Sequence, residues 1–211
     1  MIALPPTQLT GLPASHLTNY LLDPAVTQND GVMLRRAIRY WECQGAPPPP
    51  ALAVISTESA AKLGAGFGVC ELATMDPDGR IEIQIRIRRD ALAFTKRRRL
   101  GVPTNYWVVW HELAHALDQE LVLPSRPPAR TDVVARRGRF SATSAWRDLY
   151  ARYRAGQLRS LTGYAAYSRI EFFAEAIVAY VARPDSFQRR SPEIATLARS
   201  ALAAGAAALS A

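Results

Sequence analysis

The chain has 211 residues, 49% hydrophobic and 21% charged, the balance of a soluble globular domain and not of a disordered or collagen-like chain. No apolar run reaches the 18 or so residues that a membrane span needs. Two cysteines, Cys43 and Cys70, are too few for a disulfide framework or an all-thiolate metal site. The formal charge is +8, and every basic residue except Lys62 and Lys96 is arginine; such a field attracts acidic partners without identifying them, and a biased base composition yields the same pattern.

Residues 1–30 are rich in turn formers (Pro5-Pro6, Gly11, Pro13, Pro24, Asn29-Asp30-Gly31) and predict a leader that wraps onto the domain. The opening Met1-Ile2-Ala3-Leu4-Pro5-Pro6 lacks a basic stretch followed by an apolar one, so no secretory signal is expected. A cytoplasmic setting and export by a signal-independent route both fit. Residues 32–43, with Val32-Met33-Leu34, Ile38 and Tyr40-Trp41, predict an amphipathic helix. Gly45-Ala46 and the tetraproline Pro47–Pro50 stop it, because proline lacks a donor and favours polyproline II. This divides the chain into a leader with one helix and a proline-rich linker, 1–50, and a main domain, 51–211.

Ala51–Ile55 predicts a buried strand and Phe67–Ala73 another. Asp76-Pro77-Asp78-Gly79 is a turn in which proline sets one torsion and glycine accepts a positive φ. Beyond it, Arg80–Arg88 alternates strictly, with Ile81, Ile83, Ile85 and Ile87 on one face. This strand should pair with 67–74 as a hairpin. Asn105–Glu120 predicts a helix whose first half is apolar, and the proline- and arginine-rich 121–145 predicts a loop. Helices at about 144–155 and 168–183 follow, Pro184-Asp185 ends the second, and an alanine-rich helix at about 191–209 closes the chain.

His111-Glu112-Leu113-Ala114-His115 carries the chemistry. It fits H-E-x-x-H, a pattern that this chain's composition would give by chance roughly two times in a thousand. On a helix the two imidazoles stand one turn apart on one side, where both reach one small cation. Zinc takes two neutral imidazoles and an oxygen ligand and keeps a fourth position for water. Glu112 is placed to remove that water's proton and pass it to a leaving amine. The third ligand must come from elsewhere. Glu171 and Glu175, four apart on one face of the next strong helix, lie among Phe172, Phe173, Ile177 and Val178, where a carboxylate is costly to bury without a cation or donor. Glu171 is assigned to the metal and Glu175 to a role behind it, orienting His111 or His115. Spacing also allows the reverse. Asp118, one turn beyond the histidines, is expected to support the site or the fold.

In these motifs, and in Pro184 with Ser191-Pro192-Glu193, the chain resembles the anthrax lethal factor-like zinc metallopeptidases, the group that includes the Pro-Pro endopeptidases. The resemblance spans roughly 67–200, strongly in the two motifs and weakly between them. It implies an α+β zincin-like fold: a small twisted sheet over an active-site helix, with a mostly helical C-terminal part. It implies that Glu171 is the third zinc ligand, one zinc per chain. It also implies that Tyr164, seven residues earlier, lies over the metal and helps stabilise the oxyanion, with Tyr167 its local competitor. Glycine commonly stands in that family where Ala114 stands here, and the stretch between His115 and Glu171 is longer than expected.

The expected function is therefore a zinc-dependent endopeptidase acting on peptide or protein substrates, acidic ones included, with a toxin or effector role within the range of that family. In zincin folds an edge strand pairs with extended substrate; the 81–87 strand, with outward Glu82, Gln84, Arg86 and Arg88, is its candidate. Two other readings share these residues. One is a nucleic-acid-associated protease recruited through its arginine runs, although these lack the interleaved aromatics of single-strand binders. The other is a non-catalytic zinc-binding module.

Overall fold

A computed structural model describes residues 20–49, 52–71, 74–75, 81–119, 140–158 and 161–208. The first nineteen residues, with His16, lie outside the described residues, as do the 76–79 turn and 120–139, with Arg136, Arg137 and Arg139. In chain order the elements are β1 (Tyr20–Leu22), α1 (Gln28–Cys43), β2 (Leu52–Glu58), α2 (Ala60–Leu63), β3 (Gly68–Cys70), β4 (Thr74–Met75), β5 (Ile81–Arg88), β6 (Arg98–Arg99), β7 (Val102–Pro103), α3 (Thr104–Asp118), α4 (Ser144–Arg154), α5 (Arg169–Ala182), α6 (Pro184–Arg190) and α7 (Pro192–Ala208). The fold is mixed α+β, mostly helical, with a small sheet.

The main sheet runs β1-β2-β5-β3, and β4 also pairs with β5. β1, β2 and β5 are parallel, with Ala53 opposite Ile83 and Ile55 opposite Ile85. β3 and β4 run antiparallel to β5, Gly68 opposite Ile87 and Thr74 opposite Glu82, which is the expected hairpin. Alternation sets the faces: Ile83, Ile85 and Ile87 are buried with Ala53 and Ile55. The outward-facing side chains include Gln84, which is exposed, and Glu82 and Arg86, which are partly so.

β5 is hydrogen-bonded on both sides, so its backbone has no free edge for a substrate. Glu82, Gln84 and Arg86 thus stand on the outward face of a central strand and not on an edge: Gln84 donates to Glu82, and Arg86 is engaged in an ion pair with Glu71. Among the described strands the order ends in β1 on one side and β3 on the other, and β3 is the one packed on α3.

α3 is apolar on nearly every side and is buried on nearly every side, as such a helix must be. It packs on β3 and β5, on α1 and on α5. α1 starts at Thr27, whose side chain accepts from the Asp30 N–H. It buries Leu34, Ala37, Ile38 and Trp41 in the same core as the sheet and α5. Trp41 meets Trp110 edge to face at 5.6 Å, and Trp110 Nε1 donates to the Ala37 carbonyl. Residue 50 thus marks no boundary in the core: β1 and α1 belong to the domain that the leader was expected only to wrap. Trp41→Ala should lower the unfolding free energy by about 3–5 kcal/mol, read as a drop in melting temperature of about 10 °C. A detachable leader would leave melting unchanged.

Pro184 ends α5 as expected and also opens α6 from its first helical position. Cys43, which is exposed, and Cys70 form no disulfide with each other. The basic runs are largely paired where described: Arg88 with Asp90 at 2.7 Å, Arg89 with Asp30 at 3.1 Å, and Arg99 with Glu175 at 3.4 Å. No helix among the described residues is long and apolar enough to cross a membrane.

Candidate metal centre

α3 carries His111 and His115 one turn apart on the side that faces α5. Their rings meet edge to face at 4.6 Å, and their Nε2 atoms lie 3.1 Å apart. α5 begins with Ser168-Arg169-Ile170-Glu171, a serine-x-x-glutamate start in which the Ser168 hydroxyl accepts from the Glu171 N–H at 3.2 Å. The Glu171 carboxylate turns to the histidines. Its Oε2 is 2.7 Å from His111 Nε2 and 3.4 Å from His115 Nε2. One donor atom from each of the three lies within 4.8 Å of the others, the only such group of three or more His, Cys, Asp or Glu found among the described residues. Two facing imidazole nitrogens and a carboxylate oxygen match the donor set of a borderline divalent cation, and one ion in their midst satisfies all three.

The electrostatics suit that donor set at His111 and Glu171. Burial keeps His111 neutral, pulling its pKa down to about 4. Burial also pulls on His115, but the hydrogen bond to Glu171 and the charges of Glu112, Glu171 and Asp118 outweigh it and raise its pKa. Burial pushes Glu171 up, yet hydrogen bonds from both histidines dominate and hold it at about 2. Burial lifts Glu112 to about 7.

Glu112 is buried, and its Oε2 has no hydrogen-bond partner among the described residues. It lines a cleft of about 390 Å³ with His111, His115, Glu171, Tyr164 and the β3 residues Gly68, Val69 and Cys70. Gly68 is there for space: a Cβ at this position would stand 2.5 Å from Glu112 Oε1. A glycine inside a strand is the sequence sign of such a close approach.

Glu175 is fully buried behind His111. Its Oε1 is 3.7 Å from His111 Nδ1 and 3.4 Å from Arg99 Nη2, and its Oε2 accepts from the Thr162 hydroxyl at 2.7 Å. Burial raises its pKa, opposed by Thr162 and Arg99. Asp118 accepts from the Ser141 N–H and hydroxyl at 2.7 Å each, tying the end of α3 to the segment that leads into α4. Tyr164 is 42% exposed, with its ring 5.6 Å from that of His111. Burial and the charge of Glu171 hold its phenol protonated, with a pKa pushed up to about 12. Tyr167 stacks on Tyr164 and is 81% exposed; it is not among the residues lining the cleft. Sequence reasoning missed Gly68, Thr162 and Arg99. Only Gly68 carried a signal, since nothing in Lys96-Arg97-Arg98-Arg99 tells which arginine turns inward.

The family model of glucose-regulated metallo-peptidase M90 matches residues 94–201, just over half of the chain. The matched segment begins shortly before β6 and contains both histidines, Glu112, Tyr164, Glu171 and Glu175. It bears out a metal-dependent peptidase, under a different family name from the lethal factor-like group. No curated protein and no solved structure matches the chain. A helical H-E-x-x-H motif, a carboxylate brought to it from a second helix and a family match over both together place this chain in the glucose-regulated metallo-peptidase M90 family.

Proposed function

We propose that the protein is a zinc-dependent endopeptidase in which His111, His115 and Glu171 hold the ion, Glu112 is the general base and acid, and Tyr164 is the oxyanion donor. The observation that carries this reading is the approach of three donor atoms to within 4.8 Å of one another beside the buried Glu112 oxygen that has no hydrogen-bond partner among the described residues. A glutamate ligand from a later helix is the gluzincin arrangement, and the motif likeness to the lethal factor-like peptidases supports it.

A zinc ion bound there supplies Lewis acidity, which makes a water acidic and polarises the scissile carbonyl. The Glu112 carboxylate takes the proton of the attacking water and delivers it to the leaving amine. The Tyr164 hydroxyl, protonated at neutral pH, donates to the charge that grows on the carbonyl oxygen. Glu175 faces the far nitrogen of His111 and orients the ring. β3, in the wall of the cleft and at one end of the sheet among the described residues, is the strand placed beside an extended peptide in place of β5.

Purified protein should contain one zinc per chain and cut members of a broad peptide library. Chelation should abolish cleavage and added zinc should restore it. Protein without stoichiometric metal, or cleavage indifferent to chelator, would refute the reading.

A further inference from the structure

One cation reaches both sides of His111. The Arg99 guanidinium lies 3.8 Å over the Trp107 ring and 5.1 Å from the Tyr164 ring. Its Nη2 donates to Thr162 Oγ1 at 3.1 Å and lies 3.4 Å from Glu175 Oε1. Thr162 closes the circuit. Its hydroxyl donates to Glu175 and accepts from the Tyr164 N–H at 3.3 Å, at the start of the helical turn that carries Tyr164.

The backbone is built to deliver this side chain. β6 and β7 are joined by Leu100 and Gly101, both in the left-handed region at φ 50° and 89°. That conformation is uncommon for a leucine. Arg183 packs so closely on Gly101 that a Cβ there would fall 2.4 Å from its Nε, which seats the hairpin against the end of α5. The neighbouring arginines go elsewhere: Arg97 lies 5.8 Å from Phe94, and Arg98 donates to the Gly101 carbonyl.

We propose that Arg99 is a positioning residue of this site, fixing Glu175 behind His111 and the Tyr164 turn in front of it. One guanidinium then governs both metal affinity and the placement of the phenol. The proposal rests on the peptidase reading. A planar fork between two rings, a hydroxyl and a carboxylate is a task that lysine cannot copy.

The test uses the full chain as wild type, Arg99→Met and Arg99→Lys. Zinc affinity is measured by competition with a chromophoric chelator, kcat and KM on a fluorogenic peptide that the wild type cuts, and melting on the metal-free proteins. Arg99→Met should bind zinc about 10–100-fold more weakly. Its kcat should fall about tenfold or more while KM stays within about twofold, as for an interaction felt in the transition state. Arg99→Lys should regain part of the zinc affinity and little of the kcat. Should Arg99→Met fail to fold, Arg99→Lys and Thr162→Val, which removes the bridging hydroxyl, must show the same loss of kcat. Zinc affinity and kcat equal to wild type in the folded variants, whatever the melting temperature, overturn the inference alone. A wild type that holds no zinc overturns the peptidase reading and this inference with it.

Discussion

Glu112→Gln should abolish peptide cleavage, lowering kcat by about 10²–10⁴-fold, while zinc stays bound at one per chain. The amide keeps the size of the carboxylate and removes its ability to take a proton. The surroundings tolerate the exchange. Glu112 Oε2 has no hydrogen-bond partner among the described residues, so no internal bond to that oxygen is lost. Burial already raises the pKa of Glu112 to about 7, which means that the site disfavours the charge. The metal-free variant should accordingly melt no lower than metal-free wild type. Cleavage that survives at about a tenth of the wild-type rate or better would remove Glu112 from the base role. Loss of zinc along with activity would show instead that the variant disturbs the ligand set.

How much of this was legible in the sequence differs by element. α3 and α5 were readable because both are long, apolar and bounded by clear signals, and the H-E-x-x-H spacing is a property of any α-helix. β1 was lost in the leader because three residues, Tyr20–Leu22, are too few to show alternation. The β6–β7 hairpin was invisible for a similar reason, and a Leu-Gly turn advertises itself weakly. The isoleucine alternation of β5 told which face is buried and could not tell what lies on either side of the strand, so a central strand was mistaken for an edge. The choice between Glu171 and Glu175 was equally beyond spacing, since both lie on one side of α5. It depends on how α5 sits against α3. In the structure Glu171 meets the Nε2 atoms of both histidines, whereas Glu175 faces Nδ1 of His111. Arg99 was hidden by its own neighbours, because the charge of a run does not reveal which member the backbone turns inward.

Gly68→Ala should lower kcat by about 100-fold with zinc retained. The glycine has no unusual torsion to explain it; its reason is the neighbour. An added methyl would fall 2.5 Å from Glu112 Oε1 and 2.8 Å from Cγ and Cδ, well inside contact distance, so something must move. The backbone is held by the antiparallel pairing of Gly68 with Ile87, and Ile87 is fully buried in the core. The side chain of Glu112 is the freer partner and swings away from the place where a water is deprotonated. Displacing a catalytic group by about 1 Å costs on the order of 100-fold in rate. The ligand atoms of His111, His115 and Glu171 are not among the atoms that the methyl would meet most closely, which is why zinc should stay. Gly66→Ala supplies the control. Gly66 lines the same cleft, but a Cβ there has its nearest neighbour at 3.5 Å, the Gly68 carbonyl, an ordinary contact, so its kcat should remain within about threefold of wild type. If both alanine variants cleave as fast as wild type, β3 does not confine the base, and the position of Glu112 must be set from within α3 alone.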